Sequence, residues 1–221
     1  VCGPSGPVLT GSHDTTVLVW GLRQVGSGRA RRLELEDQPL HVLYGHDDAV
    51  TCLAASAGAG VAASGSANGV IVVHELRKGA VLRVIPVAGR PELGLLSASR
   101  TGDLVAYSPE DLSLHAFTVN GRHMASREAN ERLRALDISR EGDGEFVVGG
   151  GDRGVLSVWR LRDLSPLRRV DCSHGPLTAV RCTPEDCVLA GSADGHVIAF
   201  VPDPRKVDKV DRPWIIAGRG L

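Results

Sequence analysis

The stretch Val8-Leu9-Thr10-Gly11-Ser12-His13-Asp14-Thr15-Thr16-Val17-Leu18-Val19-Trp20 decides the fold, because imperfect copies of it return down the chain. Val61 to His74 reads V-A-A-S-G-S-A-N-G-V-I-V-V-H, and Phe146 to Trp159 reads F-V-V-G-G-G-D-R-G-V-L-S-V-W. Val188 to Phe200 reads V-L-A-G-S-A-D-G-H-V-I-A-F. Each copy is a short apolar strand, a Gly/Ser step, a tight turn at Asp or Asn, and an alternating strand closed by a large ring. The closing residues Trp20, His74, Phe117, Trp159 and Phe200 follow one another at intervals of 54, 43, 42 and 41 residues. A period of about 40–45 residues with four strands per unit predicts an all-β propeller.

Composition agrees. The chain has 221 residues, 43% of them hydrophobic, with 27 glycines and only 4% aromatics. It can bury a core of Val, Leu, Ile and Ala, and its glycines suit many tight turns. The net charge of −1 lacks the basic footprint of nucleic-acid binding and the polybasic cluster that holds a protein on anionic lipid. No run approaches the 18 or so apolar residues of a membrane span, so direct insertion is not expected. Val1-Cys2-Gly3-Pro4 has neither part of a signal peptide. Five cysteines at irregular spacing predict free thiols in a reducing compartment. Met124 is the single methionine, so the chain is expected to be part of a longer protein.

Period-2 alternation divides the chain into five units of a WD-repeat β-propeller: 1–40, 41–85, 86–126, 127–170 and 171–210. The first lacks its opening strand, which gives about four and a half four-stranded blades in an open arc. The propeller is expected over 1–201 and a C-terminal tail over 202–221, with the last outer strand drawn from part of 205–210. Residues 21–40 carry Arg29, Arg31 and Arg32, then Glu34, Glu36 and Asp37. They read as a solvated loop that lengthens the first interval.

Three motifs invite sharper chemistry. Gly149-Gly150-Gly151-Asp152-Arg153-Gly154 satisfies G-x-G-x-x-G, but a dinucleotide needs those glycines to open a helix, and an alternating strand follows here. Cys172, His174, Cys182 and Cys187 lack the paired C-x-x-C spacing of a zinc site. Ser64 and Ser66 near His46 and Asp47 suggest a Ser-His-Asp set, yet no nucleophile elbow surrounds either serine. No cofactor, metal site or catalytic residue is therefore expected.

The repeat accounts for these residues more simply. In WD-repeat blades a loop His, a strand Ser or Thr, a turn Asp and a strand-end Trp form a buried hydrogen-bond network. Partial versions are expected from Asp14 with Trp20, His46 with Ser64 and Asn68, Asp152 with Trp159, and Asp194 with Ser192. Trp214 reads as a tail aromatic against the propeller surface or, more sharply, as an anchor for a partner.

Gly11 to Trp20, Val42-Leu43-Tyr44-Gly45-His46, Phe117-Thr118-Val119-Asn120-Gly121, Gly149 to Val155 and Val197-Ile198-Ala199-Phe200, in that order, resemble the C-terminal WD repeats of BEACH-domain proteins of the neurobeachin type. The resemblance covers nearly the whole chain. It implies a large cytosolic scaffold with peripheral membrane association, acting in vesicle traffic and in granule or lysosome-related organelle biogenesis. In that family PH-like and BEACH domains precede the propeller. The expected function is a non-catalytic module that docks other proteins. A ubiquitin-ligase substrate receptor or signalling adaptor is the alternative of the same class. An enzyme with a site in the propeller channel is the alternative of another class, with Asp137 among the few side chains available to it.

Overall fold

Short runs of Val, Leu, Ile and Ala broken by turn residues can only bury themselves as strands in stacked sheets, and the chain does so. A computed structural model describes residues 6–26, 32–139, 145–183, 187–200 and 214–216. Among these there is no helix, so none that could cross a membrane.

The first sheet has three strands, β1 (Val8–Gly11), β2 (Val17–Trp20) and β5 (His41–Leu43). Four antiparallel sheets of four strands follow. They are β6 (Val50–Ser56) to β9 (Val81–Pro86), with β7 (Val61–Ser66) and β8 (Val70–Glu75) between, and β10 (Leu95–Ala98), β11 (Leu104–Ser108), β12 (Ser113–Phe117) and β13 (His123–Glu128). Next come β14 (Leu133–Ile138), β15 (Phe146–Gly151), β16 (Val155–Arg160) and β17 (Pro166–Asp171), then β18 (Leu177–Cys182), β19 (Val188–Ser192), β20 (Val197–Phe200) and β21 (Trp214–Ile216). The leading strands β6, β10, β14 and β18 pack in chain order, and β1 packs on β6. This is an incomplete, open propeller.

Four apolar layers fill the gaps between successive sheets. Val17, Val19, Leu43 and Ala62 lie between the first and second, and Ile71, Val73, Leu93 and Leu104 between the second and third. Leu114, Ile138, Val147 and Trp159 lie between the third and fourth, and Val148, Leu156, Leu177 and Ile198 between the fourth and fifth. The second and third sheets are covered on both faces, so β7 and β11 lose the alternation of a half-exposed strand and are buried throughout.

The five copies share a hairpin turn whose penultimate residue takes a left-handed backbone: Thr15 (φ 75°), Gly69 (72°), Leu112 (57°), Gly154 (70°) and Gly195 (84°). Glycine reaches this region without a Cβ penalty, whereas a β-branched threonine is strained there.

Three boundaries differ from the sequence reading. His41–Leu43 is the outer strand of the first sheet, paired Val17↔Leu43, so that unit extends past residue 40. The expected loop at 21–40 contains a two-stranded hairpin, β3 (Leu22–Val25) and β4 (Arg32–Leu35). Its opposite charges face each other: Arg23 stands across from Glu34 and also binds Asp37 at 3.1 Å. Complementary charge across a ladder supports pairing where apolar alternation is weak. The fifth sheet takes its fourth strand from Trp214–Ile216, with Ala199↔Trp214 in register, so 202–221 is not wholly a tail. Trp-Ile-Ile suits a strand better than the charged 205–210 segment, which lies outside the described residues.

Candidate functional site: blade networks and an apolar rim

A buried polar cluster sits between the first two sheets. The turn after β5 brings His46 Nε2 to 2.7 Å from Ser64 Oγ on β7, and Ser64 donates in turn to the Val72 carbonyl at 3.4 Å. Opposite Ala62, the His74 Nε2 lies 2.9 Å from the Tyr44 carbonyl. A carbonyl only accepts, so this nitrogen carries the proton. The Nδ1 atoms of both histidines are buried without a hydrogen-bond partner. Burial holds both imidazoles below the ordinary histidine range, and His74 adds to the effect on His46. The expected His46–Ser64 pair is therefore present. Asn68 is not part of it: its Oδ1 accepts from Ser66 Oγ at 2.7 Å and closes the hairpin turn. Ser64 is 1% exposed, so its hydroxyl cannot meet a substrate, and among the described residues no carboxylate bonds His46 Nδ1 from behind.

In the first sheet Asp14 and Trp20 are not bonded to each other. Asp14 accepts the Thr16 hydroxyl at 2.7 Å and its N–H at 3.0 Å, which hold its carboxyl below the usual carboxylate range. Trp20 Nε1 donates to Thr10 Oγ1 at 2.9 Å. Thr10 faces Leu18 as Ser64 faces Val72, Gly149 faces Ser157 and Ala190 faces Ile198. A hydroxyl at this place is present only in the first two copies: Thr10 holds the closing ring of Trp20, whereas Ser64 holds the loop residue His46 and the closing ring of His74 turns to the Tyr44 carbonyl. In the third copy Tyr107 fills the interior, and its hydroxyl accepts the Leu133 N–H of the next sheet at 3.1 Å.

In the fourth sheet Asp152 and Trp159 are likewise apart. Asp152 pairs with Arg134 on β14. The Trp159 ring packs over Gly149, where a Cβ would lie 3.0 Å from it. A Cβ on Gly150 would lie 2.9 Å from Leu177 of the fifth sheet, and one on Gly151 would lie 2.1 Å from the Arg132 carbonyl oxygen. The glycine run therefore allows close packing, and it opens strand β16 rather than a helix. The buried Glu131, which no feature of the repeat singles out, accepts the Arg153 N–H at 2.7 Å and fixes the turn.

In the fifth sheet Ser192 Oγ accepts the His196 N–H at 3.2 Å, and Asp194 turns instead toward His174 and His196. Burial pushes the Cys52 thiol up to about 12 and raises Cys172 as well, so both are poor nucleophiles. Asp137, the candidate channel carboxylate, is buried as a clamp across three sheets. It accepts from Ser97 Oγ at 3.3 Å and from the Cys182 N–H at 2.8 Å, with Arg181 Nη1 3.7 Å away. Apart from Asp194, each described network residue is thus occupied in holding its blade or its turn. For Trp214 the structure gives a place in β21.

What remains free is a rim. Along the junction of the first two sheets, Tyr44, Val81 and Val84 are exposed, Tyr44 at 67% and Val84 at 55%, while Val42 is exposed on the other face of β5, across from Leu18. The first three adjoin one another: a Cβ on Gly45, next to Tyr44, would lie 3.6 Å from Val81 and 3.4 Å from Val72, which faces Val84 across β8 and β9. Leu40, Leu33 and Leu35 are exposed on the same unit. The next outer strands, β13 (H-M-A-S-R-E) and β17 (P-L-R-R-V-D), are richer in polar and charged residues, with Leu167 exposed singly on β17. A clustered apolar rim marks a contact surface more often than scattered single residues do.

Residues 2–209 match the family model described as the neurobeachin β-propeller domain. The chain is 35% identical over 220 residues to BEACH domain-containing protein B of Arabidopsis thaliana, covering 95% of this chain and 8% of that protein. It is 26% identical over 201 residues to the putative neurobeachin homolog of Caenorhabditis briggsae, covering 89% and 8%. The chain thus spans 8% of the length of each of these relatives. Among solved structures, the computationally designed Ika8 protein aligns with a TM-score of 0.65 at 25% identity, covering 89% of this chain and 56% of that one. The designed Ika4 protein aligns with a TM-score of 0.58 at 24% identity, covering 72% and 94%.

Proposed function

The chain belongs to the neurobeachin β-propeller family, and we propose that it is a non-catalytic docking module of a BEACH-type scaffold. The observation that carries this reading is the rim of Tyr44, Val81 and Val84, whose exposed apolar side chains take no part in the blade networks. Its partner is another protein with a largely uncharged face, since the rim itself carries no charge. The burial of Ser64 and the structural use of Asp137 support a binding role over catalysis. By likeness to its relatives, the parent protein carries a BEACH domain and acts in vesicle traffic from the cytoplasm, reaching membranes peripherally.

The test uses the full-length protein with Tyr44→Ser and Val84→Asp together. The reading expects at least a tenfold loss of crosslinked partners, reduced sedimentation with membranes, and an unchanged melting temperature. An unaltered set of partners at unaltered stability overturns the rim as the docking surface.

A further inference from the structure

The fifth sheet gathers three metal-ligating side chains on two adjoining turns. His174 lies between β17 and β18, while Asp194 and His196 flank Gly195 between β19 and β20. The turns are fastened to each other by the Ala193 N–H, which donates to the Pro176 carbonyl at 2.8 Å. A Cβ on Gly175 would lie 2.8 Å from Asp194 Oδ1, so this glycine leaves room for the carboxylate. The two imidazole rings stack with centroids 4.4 Å apart and planes 25° apart. Asp194 Oδ2 is 3.9 Å from His196 Nδ1, a buried atom without a hydrogen-bond partner. One donor atom from each of the three residues falls within 4.8 Å of the others.

We propose that His174, Asp194 and His196 form a binding site for a divalent transition cation of the zinc class. Two imidazole nitrogens and one carboxylate suit zinc, copper or nickel, whereas magnesium and calcium prefer oxygen alone. Tetrahedral donors about 2.0–2.1 Å from an ion sit roughly 3.4 Å from one another. The ligands must therefore close by at most about 1.4 Å, which side-chain rotation supplies by unstacking the rings while the fastened turns stay in place. Asp194 is exposed and the histidines half-buried, so a fourth position opens to solvent.

The competing explanation is the repeat itself, and the copies distinguish the two. His174 precedes its sheet as His46 does, and Asp194 stands in the place of Asn68, so those two residues alone could be a blade-internal pair. One further change belongs to this copy only: His196 stands where the other copies have Thr16, Val70, Ser113 and Val155. A repeat network has no use for a third ligand.

His196→Val therefore restores the repeat residue and removes one ligand. In the 221-residue chain we expect one Zn²⁺ bound per molecule by calorimetry, a melting temperature raised by Zn²⁺ but not by Mg²⁺, and shifted histidine ring resonances. Cobalt should give a spectrum of nitrogen and oxygen ligation without a thiolate charge-transfer band. His196→Val should weaken binding at least tenfold and leave the metal-free melting temperature in place. Absence of Zn²⁺ binding, undiminished binding by His196→Val, or binding abolished by blocking the cysteines each overturns the site.

Discussion

The second and fourth sheets share one register and fill the same interior position by opposite means. In the second, Ser64, His46 and His74 form a polar cluster with two bare nitrogens. In the fourth, Gly149 stands in the place of Ser64 and the Trp159 ring lies against it, with Leu133 close by. A hydrogen-bonded interior is directional and fails when one partner is lost, because the other stays desolvated. A ring packed on glycine is insensitive to protonation but intolerant of volume change. The hairpin repeat specifies a shape, and the chemistry that fills it is open to variation.

The largest expected effect falls on the packed interior. Trp159→Ala should cost about 3–5 kcal/mol, read as a lowered urea midpoint, because the ring leaves a cavity between two sheets. A loss under about 1 kcal/mol would show that the ring contributes little packing there. In the polar interior Ser64→Ala should cost about 1–3 kcal/mol by orphaning His46 Nε2. Adding His46→Leu should recover part of that loss, since both polar partners are then gone. Failure to recover would move the value of Ser64 from the pair to its bond with Val72.

Protonation separates the two sheets more finely. The folded pKa values of His46 and His74 lie below the ordinary 6.5, so the unfolded chain binds protons more readily. Stability should be level above about pH 6.5 and fall as pH drops below it, well before carboxylates titrate. His115, also lowered by burial, contributes in the same direction. His74→Phe installs the ring type of Phe117 and Phe200 and should flatten the decline between pH 7.5 and 5.5. An unchanged slope would locate the acid sensitivity elsewhere. The smallest effect is local: Thr15→Gly should raise stability by about 0.5–1 kcal/mol by relieving a left-handed threonine.

The fold was legible because spacing survives sequence drift: the ring residues and the Gly/Ser turns mark every copy. Single contacts were less legible. His46 and Ser64 could be paired from the sequence, since both stand at fixed offsets from the same hairpin. Asp152 was misplaced because Gly149-Gly150-Gly151 offers no side chain to anchor the register, and the residue at the turn position of Asn68 is Arg153. Thr10 carries no mark in the repeat because the turn residue Asp14 is the more regular feature, although the ring of Trp20 reaches the strand. Tyr107 and Asp137 act between sheets, and a repeat read one unit at a time carries no signal for contacts across units. The 21–40 hairpin was hidden because charge, not apolar alternation, sets its pairing.

The account's central claim is that the polar network holds the blades while the rim meets the partner. It is tested most directly by measuring melting and partner crosslinking together in the full-length protein, for Ser64→Ala and for Tyr44→Ser with Val84→Asp. The account predicts that Ser64→Ala lowers the melting temperature and leaves crosslinking by the folded fraction intact, while the rim variant loses crosslinking at unchanged melting temperature. The reverse pattern, or both properties falling together in both variants, would contradict it.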